Sequence, residues 1–156
     1  LHEWADKIPD SIRDRLLCDK PIEIRQVTPM DPFAPRKMPK QQYVWFRTVG
    51  PMPDERAAHR YLLAYASDFN LIATALEHHG HTFWEPEVQA ASLDHAMWFH
   101  RDFRMDEWLL YAMHTPNACK SRGLSIGRIF TRDGVMAATV AQEGLLRWRK
   151  HKSLKK

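Results

Sequence analysis

Cysteine is scarce in this chain: Cys18 and Cys119 are the only two in 156 residues. They have no metal-ligand spacing and supply no disulfide framework, which suits a reducing compartment. No apolar segment approaches the ~20 residues that a helix needs to span a bilayer. The opening residues do not read as a secretory leader. The chain starts at Leu1 rather than Met, so a fragment or a processed chain is expected. Low-complexity runs are absent. A large charge of one sign is absent too: the net charge is +4, and much of it comes from the tail RWRKHKSLKK. A tail of that kind can touch nucleic acid or anionic lipid. Read beside the rest of the chain it is a solvated end, so neither nucleic acid nor a membrane span is expected.

What is present is apolar content of 44% over a length that fits one domain with a real core. The chain is organised around residues 54–80, which read as one long helix. Pro53, Asp54 and Glu55 suit its start, and Gly80 supplies its stop. At 100° per residue, Arg56, Arg60, Ser67, Asn70, Thr74 and His78 fall on one polar stripe. Most of the remaining circumference is apolar and should be covered. Asp68 lies on that side, with Ala57, Tyr61, Ala64, Ile72 and Ala75 as neighbours. A carboxylate there tilts to water, pairs with a nearby arginine, or faces a lined cavity. Buried carboxylates are costly unless partnered, so Asp68 is the first functional candidate.

Around the helix the chain alternates like a sheet. Residues 3–18, with Trp4, Ile8, Ile12, Leu16 and Leu17, predict a short amphipathic helix ended by Pro21. Residues 22–27 and 41–49 predict strands, separated by a proline-rich loop over 28–40. Residues 91–100 alternate, with Leu93, His95, Met97 and Phe99 on one face and Asp94, Ala96, Trp98 and His100 on the other. Residues 107–115 predict a central strand, 116–123 a loop and 124–132 a strand. Asp133-Gly134 predicts a tight hairpin. Residues 135–148 predict the last strand, with Gly144 as a bulge. Two strands, a helix apolar almost all round and four antiparallel strands make an α+β protein. A curved antiparallel sheet wrapped around one long central helix, the hot-dog fold, accommodates them. An α+β sandwich would need a more one-sided helix.

Several other residues invite functional readings. His78, His79 and His81, with His95 and His100, raise the question of metal, but the spacing fits no structural zinc pattern. Asp94 and His95 are adjacent on a strand and therefore point to opposite faces. Trp45, Trp84, Trp98 and Trp108 are read as core or tunnel lining. Arg101, Arg122 and Arg128 could meet phosphates, although exposure or ion pairing is the ordinary fate of such residues. Polar residues at positions 92 and 142 are, on pattern alone, ordinary strand residues.

Three stretches resemble one family. YLLAYASDFNL, FWEPEVQAASLDHAMWFHRDFRMDEWLLY and SRGLSIGRIFTRDGVMAATVAQEGLLR are similar, in collinear order from roughly Asp19 to Arg147, to the C-terminal half of the acyl-CoA thioesterase II family. The block SLDHAMWFHR is the most specific part. Family members carry two hot-dog repeats in one chain. The resemblance therefore implies that residues 19–148 are a second repeat, with 1–18 an extension or linker helix and 149–156 a basic tail.

The resemblance also implies a site. The family's helix aspartate falls on Asp68, its Thr or Ser on Ser92 and its glutamine on Gln142. Asp102 stands where many members have proline. The implied activity is hydrolysis of fatty acyl-CoA by a water that Asp68 deprotonates and Ser92 and Gln142 hold. It requires no metal, no cofactor and no serine or cysteine nucleophile. A hot-dog hydratase or dehydratase is a rival reading, and so is an acyl-binding or assembly module. No histidine follows Asp68 until His78, which weighs against the first. Acyl-CoA is the expected substrate. Self-association, or pairing with an absent N-terminal repeat, is the expected assembly. An intracellular site follows, either bacterial cytoplasm or peroxisome. The end Leu154-Lys155-Lys156 does not match a peroxisomal address.

Overall fold

The computed structural model describes residues 6–8 and 10–149, excluding the side chains of residues 11, 12, 15 and 16. Trp4 and tail residues 150–156, with their anticipated roles, fall outside the described residues, as do the side chains of Ile12 and Leu16. The elements in order are α1 (Asp10–Leu17), β1 (Ile22–Gln26), β2 (Gln41–Thr48), α2 (Arg56–Ala66), α3 (Leu71–His78), β3 (Val88–Ser92), β4 (Ala96–Phe99), β5 (Leu109–Cys119), β6 (Arg122–Phe130) and β7 (Met136–Trp148). The seven strands form one antiparallel sheet in the order β1-β2-β5-β6-β7-β3, and β4 also pairs with β7. The helical segment lies in the concave face of this sheet, with α3 against β5, β6 and β7. Leu63, Ala66 and Leu71 from the helices meet Phe46, Tyr111, Met113, Ile129 and Val140 from the strands in the core.

The long helix expected over 54–80 runs over residues 56–78, with a turn at 67–70 that divides it into α2 and α3. Helical bonding reaches Ser67, whose N–H donates to the Leu63 carbonyl at 2.9 Å. Residues 67–70 then form a turn. The Ser67 carbonyl, which an uninterrupted helix would offer to residue 71, instead accepts the Tyr111 hydroxyl at 3.0 Å. Ser67 Oγ also donates back to the Ala64 carbonyl at 3.1 Å, a local bond that competes with helix continuation. The far end stops at Gly80, with φ 81°, whose N–H meets the Glu77 carbonyl at 3.0 Å. The polar stripe is also corrected. Ser67 and Thr74 are buried, while Tyr61, Tyr65 and Phe69 are 77%, 60% and 43% exposed. Internal hydrogen bonds satisfy the two hydroxyls, so helical periodicity alone misjudged which side faces water.

Three further expectations are revised. The single strand over 91–100 is split, because residues 93–95 leave the ladder and Asp94 Oδ1 accepts the Glu143 N–H at 2.7 Å. The loop over 116–123 is mostly hairpin. β5 continues to Cys119 after a register shift between His114 and Asn117, where Pro116 has no N–H to give. Lys120 and Ser121 make the turn with φ 48° and 61°. Gly144 is no bulge, since the β6–β7 register runs straight through its pairing with Gly123. It is a close-approach site: a Cβ there would lie 2.4 Å from Ile72 Cδ1. The Asp133-Gly134 turn forms as expected, with Gly134 at φ 87°.

Candidate functional site

The break between α2 and α3 and the break between β3 and β4 face each other. Asp68 sits in the first. Ser92 closes β3, His95 sits in the second gap, and Gln142 points inward from the middle of β7. Asp68 Oδ1 accepts from Ser92 Oγ at 3.0 Å and from Gln142 Nε2. The structure therefore brings the three residues together. Asp68 and Ser92 are exposed, whereas Gln142 is 1% exposed. A cavity of about 420 Å³ opens beside them, walled by Tyr65, Phe69, Leu93, Asp94 and His95. Asp68 thus shares both expectations: its carboxylate is exposed to solvent, and it also faces a lined cavity, with no arginine paired to it among the described residues.

The second amide hydrogen of Gln142 meets His95 Nδ1 at 3.2 Å, and His95 Nε2 meets Ser67 Oγ at 2.9 Å. An amide N–H can only donate, so His95 accepts at Nδ1 and carries its proton at Nε2. Nε2–H then donates to Ser67 Oγ, which passes its own hydrogen to the Ala64 carbonyl. This chain fixes the Gln142 amide with nitrogen toward Asp68. Asp68 Oδ2 has no hydrogen-bond partner among the described residues, which leaves it free to accept a proton. Gln142 Oε1 and Ser125 Oγ are buried without partners. They belong to residues directly paired across β6 and β7. The Tyr111 hydroxyl is pushed well above its usual range, first by burial and then by the negative charge of Asp68.

The remaining candidates lie elsewhere. His78 Nδ1 bonds the Met38 carbonyl at 3.0 Å, His81 bonds Glu85 at 2.9 Å, and His100 bonds Thr139 at 2.8 Å. No group of three or more His, Cys, Asp or Glu among the described residues could hold a metal ion. Asp94 and His95 diverge, the first to the β7 backbone and the second into the site. Arg101 donates to the Met136 carbonyl, Arg122 pairs with Glu143 at 3.4 Å, and Arg128 is exposed. Asp102 pairs with Arg56 at 2.7 Å. Of the four candidate tryptophans, none is fully buried: Trp98 is exposed, and the guanidinium groups of Arg25 and Arg47 each lie 4.7 Å from the Trp108 ring centre. The sequence reading named His95 as a metal question and Ser67 as part of the polar stripe, and gave neither a role in this site. Neither spacing nor periodicity shows that the two meet at Gln142; the resemblance only singled out the YASD and DHAMWFH segments that carry them.

Comparison with known proteins places these features in context. A family model described as Acyl-CoA thioesterase matches residues 11–145. The chain is 39% identical over 148 residues to Acyl-CoA thioesterase 2 of Haemophilus influenzae, covering 95% of this chain and 52% of that protein. It is 42% identical over 129 residues to human Acyl-coenzyme A thioesterase 8, covering 81% of this chain and 40% of the relative. Among solved structures, an acyl-CoA thioesterase II from Mycobacterium marinum superimposes with a TM-score of 0.71 at 43% identity, over 85% of this chain and 52% of that one. A hot-dog protein from Alicyclobacillus acidocaldarius aligns with a TM-score of 0.60 at 16% identity, over 83% of this chain and 47% of that one. The fold is therefore the hot-dog fold. The chain spans about half the length of the curated relatives it matches, or less.

Proposed function

The chain belongs to the acyl-CoA thioesterase family, and from that premise we propose that it hydrolyses fatty acyl-CoA to a free fatty acid and CoA, with Asp68 as the base. The observation that carries this reading is the double donation of Ser92 and Gln142 to one oxygen of Asp68. Those bonds orient the carboxylate and leave Oδ2 as the proton acceptor. A water beside it loses a proton to Asp68 while its oxygen bonds to the thioester carbonyl carbon. The carbonyl π electrons move to oxygen. They return as the C–S bond breaks, and the thiolate takes the proton back from Asp68. A thioester is already activated and its thiolate leaves readily, so general base action and orientation suffice. His95 and Ser67 act through Gln142 and are positioning residues.

Residues 19–148 make up one hot-dog unit in this proposal, with 1–18 an extension and 149–156 a tail. The cavity beside Asp68 is open, and the outer edges of β3 and β4 are unpaired among the described residues. Tyr65, Phe69 and Leu93 are exposed around it. A second hot-dog unit, in the same polypeptide or a second copy, would close the site there. Acyl-CoA as substrate goes with an intracellular location, cytoplasmic or peroxisomal. No helix among the described residues is long and apolar enough to cross a membrane.

The test is release of CoA thiol from a long-chain acyl-CoA, followed with a thiol reagent. Stoichiometric release of thiol and fatty acid supports the reading. The open site favours a second reading, an acyl-binding unit without turnover. That reading predicts binding of acyl-CoA and no thiol release.

A further inference from the structure

A second cavity of about 420 Å³ lies beyond the C-terminal end of α3, beside the tip of the β5–β6 hairpin. Its floor is apolar, formed by Ala75, Leu76, Val88 and Leu146. Its wall is basic: Lys37, Lys120, Arg122, Arg147, His79 and His81 line it, and no carboxylate does. Arg122 and His81 reach carboxylates just outside, on Glu143 and Glu85. Lys37, Lys120 and Arg147 have no ion-pair partner among the described residues. The local field registers at His79, whose pKa is lowered by burial and then by the charges of His78, His81, Lys37 and Lys40. Lys120 also occupies a turn position at φ 48°, where a residue with a side chain is disfavoured and Gly or Asn is usual. Trp148, half exposed and 4.9 Å from the His81 ring, adds an aromatic face.

Uncompensated cations around a concave floor repel one another and attract a polyanion. The apolar floor and the indole ask that this polyanion also carry a flat ring. Along the β3–β7 pair, the Val88–Trp148 pairing lies four residues from Ser92–Gly144, or about 13 Å at ~3.3 Å per residue. Inside the sheet the way between the two cavities is filled. Ile72 Cδ1 lies 2.4 Å from where a Cβ on Gly144 would be, and Leu146 Cδ1 lies 2.5 Å from where one on Gly123 would be. A ligand serving both cavities must therefore run outside, along the half-exposed strand β3. We propose that this basic cavity binds the phosphorylated nucleotide end of CoA, with the connecting arm laid along β3 toward the thioester at Asp68. The proposal rests on the acyl-CoA reading of the site and assigns the phosphate contacts to Lys37, Lys120 and Arg147.

The experiment has a binding arm and a kinetic arm, each on the chain as described and on Lys120→Glu/Arg147→Glu. Adenosine 3′,5′-bisphosphate is titrated by calorimetry. It is expected to bind the parent chain, more weakly as salt rises, and to lose at least about tenfold in affinity in the variant. KM for acyl-CoA is expected to rise at least about tenfold with kcat held, while hydrolysis of an acyl N-acetylcysteamine thioester, which has no nucleotide, stays unchanged. Circular dichroism and the milder Lys120→Ala/Arg147→Ala pair check that the fold survives. Absence of bisphosphate binding overturns the proposal, as does an equal loss for both thioesters. Laurate binding there in place of the bisphosphate would also overturn it, making the cavity a fatty-acid site. If no thioester is hydrolysed by the parent chain, the thioesterase reading fails, and the bisphosphate titration still decides the cavity.

Discussion

At the residue scale, the site depends on the directions of a few hydrogen bonds. Ser92 and Gln142 both donate to Asp68, so removing either loosens the carboxylate without removing the base. Ser92→Ala is expected to lower kcat by about tenfold to a hundredfold, less than loss of a general base would, with little change in melting temperature because Ser92 is exposed. Steady-state thiol release and a melting curve check it together. Ser125 makes the opposite case. Its hydroxyl is buried and unpartnered, so Ser125→Ala is expected to be neutral or stabilising by up to about 1 kcal/mol. A loss larger than that in urea unfolding would show that the hydroxyl has a bridging partner. Pattern reading flagged Asp68 because a carboxylate stood among apolar neighbours. It gave no reason to choose Ser92 or Gln142, which look like any strand residues and were reached through family resemblance. His95 was read correctly as diverging from Asp94, but nothing in alternation shows that a gap between strands turns it toward Gln142.

At the element scale, glycine at Gly144 lets α3 approach β7. A Cβ there would collide with Ile72, so Gly144→Ala is expected to cost about 1–3 kcal/mol. Shortening the neighbour in Gly144→Ala/Ile72→Val should recover part of that loss, and chemical denaturation of the single and double variants measures it. Within α3, burial pushes the Glu77 carboxyl up to about 7. Its folded value then exceeds its unfolded value near 4.3, so the folded state holds the proton more tightly. Stability from this group is present below about pH 4 and is lost as pH rises toward 7. Glu77→Gln should therefore match the parent at pH 4 and exceed it by about 1–3 kcal/mol at pH 8. Equal denaturation midpoints at pH 8 would contradict this. The strands over 22–27 and 41–49 and the Asp133-Gly134 turn were legible because alternation and turn chemistry are local. The helix break was not, because Tyr111, far along the chain, takes the Ser67 carbonyl. The turn at Lys120 and Ser121 was hidden for a different reason: neither residue is a usual hairpin-turn residue.

At the scale of the whole molecule, the sheet curls around the helix as the all-round apolar pattern requires, but one flank stays bare. Tyr65, Phe69 and Leu93 are exposed together beside the end of β3, on the side where β3 and β4 end the sheet. Exposed apolar patches and open strand edges both recruit partners. The chain is therefore expected to sediment above its 18.3 kDa mass at micromolar concentration, and Tyr65→Asp/Phe69→Asp is expected to shift it toward monomer. The central claim is that Asp68 is the base, and one substitution tests it most directly. Thiol release from a long-chain acyl-CoA is compared between the parent chain and Asp68→Asn in the same assembly, with circular dichroism confirming the fold. The amide preserves shape but cannot take a proton, so turnover should fall by about 10²–10⁴-fold; unchanged turnover in Asp68→Asn, measured against an active parent, would contradict the account.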